Sequence, residues 1–71
     1  MRDKNRLKNI GLKIQMLRKQ HDMTQEEFAK ILSVTRSYVG YIEQGRKYPS
    51  LKLLMKIAVV LEVKLPDILT T

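Results

Sequence analysis

The chain is short and strongly basic: it has 71 residues, and 14 lysines and arginines against 7 aspartates and glutamates give a formal net charge of +7. A chain of this length forms one small domain that buries only about 60% of its unfolded surface, which excludes a second domain and the deep cleft of a large enzyme. It contains no cysteine, and its longest apolar run, Ile57 to Leu61, is far below the roughly 20 residues of a membrane span. The charged first residues are not those of a secretion signal, so we expect a cytoplasmic protein.

The first predicted element is an amphipathic helix from Leu7 to near Gln20. Its apolar residues recur at helical spacing, while lysines and arginines occupy much of the remaining surface. Residues 1–6 precede this pattern and are predicted to form a flexible basic arm, with the domain itself at residues 7–71. Asp22 follows in a turn, because aspartate tolerates the left-handed backbone that such turns often need.

Two short helices follow, each with its own cap. Thr24 and Glu27 are spaced as a capping box, in which the hydroxyl accepts from the N–H three residues on and the carboxylate reaches back. The helix that begins there is predicted to end near Ser33. Thr35 is the predicted cap of a third helix, which covers residues 36–44 and is closed by a glycine.

The remaining chain contains two further predicted helices. Ser50 caps a fourth helix from Leu51 to about Glu62, and Pro66 opens a final short helix that reaches Leu69. No run alternates long enough for a strand. The sequence therefore predicts an all-α fold, a compact bundle of four to five short helices.

The order of these helices and the charge of the chain point to one partner. Two short helices joined by three residues and packed on a longer first helix form the layout of a helix-turn-helix domain. Lysines and arginines gain affinity for a duplex by releasing counterions from its phosphates. Charge alone, however, would suit any anion.

Six segments in order carry a resemblance to a known family: Ile14-Gln15-Met16-Leu17-Arg18, Met23-Thr24-Gln25-Glu26-Glu27-Phe28-Ala29, Val34-Thr35-Arg36-Ser37-Tyr38-Val39, Tyr41-Ile42-Glu43-Gln44-Gly45-Arg46, Pro49-Ser50-Leu51 and Leu65-Pro66-Asp67-Ile68-Leu69. Together they resemble the lambda-repressor-like, or Cro/Xre-type, bacterial and phage DNA-binding domains. The resemblance implies that the third helix is a recognition helix lying in the major groove. It also implies a regulator that binds double-stranded DNA and is not an enzyme.

Four residues of the third helix are predicted to read bases: Arg36, Ser37, Gly40 and Tyr41. Arginine can bond O6 and N7 of guanine bidentately, although Arg36 could instead contact a phosphate. Tyr41 could contact a thymine methyl group or be an ordinary half-exposed aromatic residue. Gly40 departs from the family, which usually has a side chain there, and either lets the helix approach the bases or makes no contact.

Six residues are predicted to bind DNA phosphates: Thr24, Gln25, Thr35, Tyr38, Arg46 and Lys47. Gln25 begins the second helix, whose amides and positive dipole end suit a phosphate. The resemblance implies that Gln25 also supports the recognition helix. The resemblance places Arg46 and Lys47 in a loop along the other phosphate strand, the alternative being a solvated loop. Thr24 is mainly a cap. The alternative for Tyr38 is that it covers the edge of the core and contacts no phosphate.

Other residues are predicted to be structural. The resemblance implies an ion pair between Arg18 of the first helix and Glu43. Ser33 stands where the family favours glycine, so it must either accept a positive φ or alter the turn. His21 has no second histidine or cysteine beside it as a metal ligand, and capping explains Glu27 better than acid–base chemistry does. We expect no metal, cofactor or catalytic set.

Self-association is predicted from the apolar C-terminal part. Proteins of this kind usually dimerise, so that two recognition helices meet successive major grooves about 34 Å apart. We expect a two-fold homodimer through the fourth and fifth helices, at Leu53, Val60, Leu65, Ile68 and Leu69. These residues could instead complete the core of a small domain.

The leading hypothesis is a sequence-specific transcriptional regulator associated with the nucleoid, a repressor that binds a palindromic operator as a homodimer. An antitoxin-like autoregulator is an alternative within DNA binding. The alternative from another class is a protein-interaction module or coactivator-type adaptor, which would need no basic recognition surface.

Overall fold

The computed structural model describes residues 2–69, with side chains from residue 5 onward, and consists of helices and turns. In chain order the helices are α1 (Arg2–Gln20), α2 (Gln25–Leu32), α3 (Arg36–Glu43), α4 (Leu51–Val60) and α5 (Leu65–Leu69). Residues 2–69 contain no strand, so the predicted all-α fold is confirmed. None of the helices in this range is long and apolar enough to cross a membrane.

The first helix begins earlier than the sequence pattern predicts. It starts at Arg2 rather than Leu7, because arginine and lysine, which occupy three of residues 2–6, are good helix formers even where no apolar periodicity marks them. Residues 2–6 are therefore helical, and Met1 lies outside the described residues. The separation of an arm at residues 1–6 from a domain at residues 7–71 stays a prediction.

The capping box predicted at the start of α2 is present. The Thr24 hydroxyl accepts from the Glu27 N–H at 3.1 Å, and the Glu27 carboxylate accepts from the Thr24 N–H at 2.8 Å. At the other end of α2, Ser33 takes the left-handed conformation, with φ 60°. Serine thus accepts the positive φ for which the family favours glycine, and the turn keeps its path into α3.

The caps of α3 and α4 also agree with the sequence. Thr35 accepts from the Tyr38 N–H and Ser50 from the Leu53 N–H, each at 3.1 Å. The fourth helix ends at Val60, earlier than predicted, because the chain turns through a positive φ of 58° at Glu62.

One apolar core holds the five helices together. The residues buried in it are Ile10, Ile14, Leu17, Phe28, Ala29, Leu32, Val39, Ile42, Leu54, Ile57, Ala58, Leu61 and Ile68. All five helices contribute, and α5 does so through Ile68, whose exposure is 0%. In the single chain α5 turns this side chain inward against its own domain, and its contact with a second copy stays a prediction.

The first and third helices approach each other closely at Gly11. A Cβ atom at this position would lie 2.4 Å from the Ile42 carbonyl oxygen and 2.6 Å from that of Glu43. Only a residue without a side chain allows this distance. Gly11 therefore fixes how closely the end of α3 is held against α1.

Candidate nucleic-acid interface

The third helix presents one surface to the core and the opposite surface to solvent. Val39, Ile42 and Glu43 are buried, while Arg36 and Ser37 are exposed at its first turn. A helix buries residues three and four apart on one face and exposes the residues between them. The predicted base-reading side chains at the start of α3 thus lie on its outer surface.

The two predicted base-reading residues one turn further on differ from each other. Tyr41 is 37% exposed. Gly40 is only partly buried, and a Cβ atom there would have no neighbouring atom within 4 Å. Packing therefore does not demand glycine at position 40, and its absence of a side chain leaves open space on the outer surface of α3.

The loop after α3 contacts Tyr41. The guanidinium of Arg46 lies over the Tyr41 ring at 5.0 Å from the ring centroid, within the range of a cation–π contact. The backbone N–H groups of Arg46 and Lys47 donate to the Tyr41 carbonyl oxygen at 2.8 and 3.3 Å. One predicted base-reading residue and one predicted phosphate ligand are thus in direct contact, which the sequence did not reveal.

The Arg18–Glu43 pair is present and buried, and it joins α1 to α3. Arg18 donates from Nε to Oε2 of Glu43 at 2.6 Å and from Nη2 to Oε1 at 3.1 Å. Its Nη1 donates to the Met23 carbonyl oxygen at 2.6 Å. A bidentate arginine–carboxylate pair fixes geometry as well as charge, so the pair sets the position of α3 relative to the α1–α2 turn.

Two glutamines complete this buried network. Gln15 and Gln25 donate to Oε1 of Glu43 at 3.3 and 3.0 Å. Gln25 is therefore hydrogen-bonded to Glu43 at the end of α3. Its roles in supporting a recognition helix and in binding a phosphate stay predictions. Sequence reasoning missed Gln15, although its place three residues before Arg18, on the same face of α1, could have revealed it.

The N-terminal end of α2 and the start of α3 share one open surface cavity. It is lined by Arg18, Thr24, Gln25, Glu26, Glu27, Lys30 and Arg36. A predicted phosphate ligand, Gln25, and a predicted base-reading residue, Arg36, are thus brought to one site. The hydroxyl groups of Thr24 and Thr35 accept cap hydrogen bonds, and Thr35 retains its own O–H as a donor.

Glu27 is held in its charged form by the cap. Hydrogen bonds from the Thr24 N–H and then from its hydroxyl lower the pKa of the Glu27 carboxyl, and the charge of Lys30 adds to this effect.

The sole histidine, His21, contacts the backbone: its Nε2 atom lies 2.9 Å from the Leu61 carbonyl oxygen. Among the described residues, no cluster of histidine, aspartate and glutamate side chains could hold a metal ion.

The predicted dimer residues occupy the edge of the core. Leu53, Val60, Leu65 and Leu69 are partly buried and pack against it. The most exposed apolar side chains of α4 are instead Leu51 at 63%, Met55 at 55% and Val59 at 76%. These three residues recur every four positions, so they form one stripe along the helix; we refer to them as the α4 stripe.

Comparisons with known proteins agree with this geometry. A 56-residue segment is 46% identical to an uncharacterised HTH-type transcriptional regulator of Methanocaldococcus jannaschii, covering 79% of this chain and 85% of that protein. The ImmF control region 10 kDa protein of Bacillus phage phi105 is 40% identical, over 82% of this chain and 64% of its own. The restriction-modification controller protein C.AhdI of Aeromonas hydrophila superposes with a TM-score of 0.81 at 31% identity, covering 87% of this chain and 94% of that one.

Two further relatives match over less than half of their own length. The immunity repressor protein of Bacillus phage phi105 is 34% identical over 83% of this chain and 41% of its own. Antitoxin PezA of Streptococcus pneumoniae is 39% identical over 83% of this chain and 37% of its own. The family model described as helix-turn-helix matches residues 14–68. The chain therefore belongs to the helix-turn-helix transcriptional regulators of the Cro/Xre type.

Proposed function

We propose that this regulator is a repressor that binds a palindromic operator sequence-specifically as a homodimer in the cytoplasm, at the nucleoid. The observation that carries the proposal is the outer surface of α3, where Arg36, Ser37 and Tyr41 are exposed beside the basic residues of the following loop. A regulator whose DNA contacts were confined to phosphates would not need this combination of side chains on one exposed helix.

The dimensions of α3 suit a major groove. An α-helix with its side chains is about 10–12 Å in diameter, and the groove of B-form DNA is about 12 Å wide and 8.5 Å deep. Arg36 would then face base edges, where it can bond guanine through two N–H groups. Ser37 and Tyr41 would meet the neighbouring base pairs along the same surface.

Phosphate contacts would flank this helix on both sides. The exposed Arg46 and Lys47 follow α3, and Gln25 with the Thr24 hydroxyl stands at the N-terminal end of α2. Tyr38 and Thr35 lie at the first turn of α3 and could add hydroxyl donors. Contacts on both sides of a recognition helix fix its register in the groove without reading sequence themselves.

The homodimer is proposed to form through α4. Met55 is the middle residue of the exposed α4 stripe, so an antiparallel copy would place Met55 against its own equivalent across a two-fold axis. The four predicted residues that pack against the core would then serve mainly their own domain. The two-fold axis would present both recognition helices to a palindrome.

The antitoxin-like autoregulator remains the second candidate, favoured by the similarity to antitoxin PezA. Such a protein would also bind an operator, so the two candidates differ in a second partner rather than in DNA contacts. A protein-interaction adaptor would differ from both candidates, since it would bind a protein partner and no DNA.

Selection of bound duplexes from a random pool, followed by sequencing, tests the proposal. We expect enrichment of an inverted repeat whose half-site centres are about one helical turn apart. A control chain with Arg46→Gln and Lys47→Gln should bind more weakly and enrich the same sequence, because the two loop residues contact phosphates only.

The enriched sequence is then placed across a promoter and transcribed in vitro with increasing amounts of the protein. A repressor lowers the transcript. A pool without enrichment contradicts sequence-specific binding, and a single unrepeated half-site contradicts the dimer.

A further inference from the structure

One face of α1 runs along the end of the recognition helix. Gly11, Gln15 and Arg18 lie on this face at spacings of four and three residues. Gln15 and Arg18 hydrogen-bond Glu43, and Gly11 abuts the carbonyl groups at the end of α3. Lys8 lies three residues before Gly11 and therefore continues the same face beyond the end of α3.

The backbone of Lys8 touches the loop that follows the recognition helix. A Cβ atom on Gly45 would lie 2.8 Å from the Lys8 Cα atom and 2.9 Å from its backbone nitrogen. Gly45 also has a φ of 75°, which side-chain-bearing residues rarely adopt. The next two residues are Arg46 and Lys47, so three exposed cationic side chains originate from one small area of the surface.

The charge of Lys8 is not neutralised within the described part of the chain. Among residues 5–69 no carboxylate forms an ion pair with it. Glu43, the acidic residue facing this side of α1, is already bonded to Arg18, Gln15 and Gln25. Several positive charges in a small area attract a polyanion, and the release of the polyanion's counterions increases the binding affinity.

We propose that Lys8 binds a DNA phosphate, so that the contact with one strand continues from the loop at Arg46 and Lys47 onto α1. The inference rests on the proposed function, since it assigns a further contact to the same duplex. The ligand is a phosphodiester oxygen, which an ammonium group binds whatever the neighbouring base. Lys8 therefore adds affinity and fixes the position of α1 along the strand but does not select sequence.

The salt dependence of binding measures this contact. Fluorescence anisotropy of a short labelled duplex of mixed sequence is recorded over a series of salt concentrations, because log K falls with log salt by about 0.9 for each neutralised phosphate. Lys8→Gln is expected to reduce the slope by about one unit, on mixed and operator sequences alike. Lys8→Arg should keep the slope.

Two matched variants separate the possible causes. Lys64→Gln removes the same charge between α4 and α5 and should leave the slope unchanged, whereas Lys47→Gln should reduce it. A Lys8→Gln slope equal to that of the wild type, with helix content retained by circular dichroism, overturns the proposal. So do equal changes for Lys8→Gln and Lys64→Gln, which would reflect net charge alone. If the wild type binds no duplex at all, it is the proposed function that fails, and this contact with it.

Discussion

Arg36 is the residue on which sequence preference is expected to depend most. It is exposed at the first turn of α3 and lines the cavity that reaches the N-terminal end of α2. Arg36→Ala should weaken specific binding by about 1–3 kcal/mol and relax preference at one base position, because a bidentate contact to guanine is lost. Binding to operator and to random duplexes, measured by titration, checks this. An equal loss on both would identify Arg36 as a phosphate ligand.

Glu43 is the residue whose loss should affect stability most strongly. Replacing it by leucine strands the buried Arg18 guanidinium and removes the acceptor of Gln15 and Gln25. Loss of one member of a buried pair typically costs about 3–5 kcal/mol, and urea unfolding of Glu43→Leu should show a cost of this size. The double variant with Arg18→Met should cost clearly less than the sum of the two single changes, because no charge is left alone. Additive costs would contradict a coupled pair.

At the scale of elements, the contact between α1 and α3 is expected to be intolerant of a single methyl group. Gly11→Ala would place its Cβ 2.4 Å from a carbonyl oxygen of α3. Overpacking of this kind costs typically about 1–3 kcal/mol, which exceeds the gain in helix propensity of about 1 kcal/mol. We expect thermal unfolding to show net destabilisation.

Gly40→Ala is the matched control for this contact. It makes the same substitution within a helix, but its Cβ would meet no atom within 4 Å, so the propensity gain should stabilise the protein by up to about 1 kcal/mol. Effects of the same sign in both variants would show that propensity, rather than helix–helix distance, governs them.

The start of α2 is expected to be sensitive to acid. Because its pKa is lowered by the Thr24 hydrogen bonds, the Glu27 carboxylate stabilises the folded state above the unfolded value of about 4.3, and this contribution disappears as the pH falls through the folded pKa. Glu27→Gln should therefore lower stability at neutral pH and approach the wild type in acid. Urea unfolding at several pH values checks this, and Glu26→Gln, outside the capping box, is the control. A pH-independent difference would contradict a charged cap.

At the scale of the whole molecule, dimerisation is expected to depend on the α4 stripe. Val59→Lys should convert a dimer into a monomer at concentrations of tens of micromolar, because a buried aliphatic side chain contributes about 1.5–3 kcal/mol and each copy loses one. Sedimentation velocity measures the state. Leu12→Lys changes an equally apolar side chain of α1 that is 55% exposed and should leave the dimer intact. A wild-type monomer, or a Val59→Lys dimer, contradicts this surface.

The positions of the helices along the chain were largely predictable from the sequence, because the contacts that determine them join residues close together in sequence. The caps at Thr24, Thr35 and Ser50 each bond an N–H three residues further on. Apolar periodicity indicated most of the buried residues of α1, α2 and α4, but it also assigned Ile31 and Leu51 to the inward faces, and these side chains are 48% and 63% exposed. Where no such pattern exists, as in residues 2–6, the prediction of the helix start was wrong.

The sequence by itself thus determined the order of the helices, the caps of α2, α3 and α4, the charge and the family. Only the tertiary structure decided which residues meet between helices: Gly11 against α3, Gln15 and Gln25 on Glu43, and Arg46 on Tyr41. It also decided that Ile68 is buried while the α4 stripe is exposed. The physical reason is that periodicity says which residues share a helix face, whereas burial depends on what the rest of the chain places opposite that face.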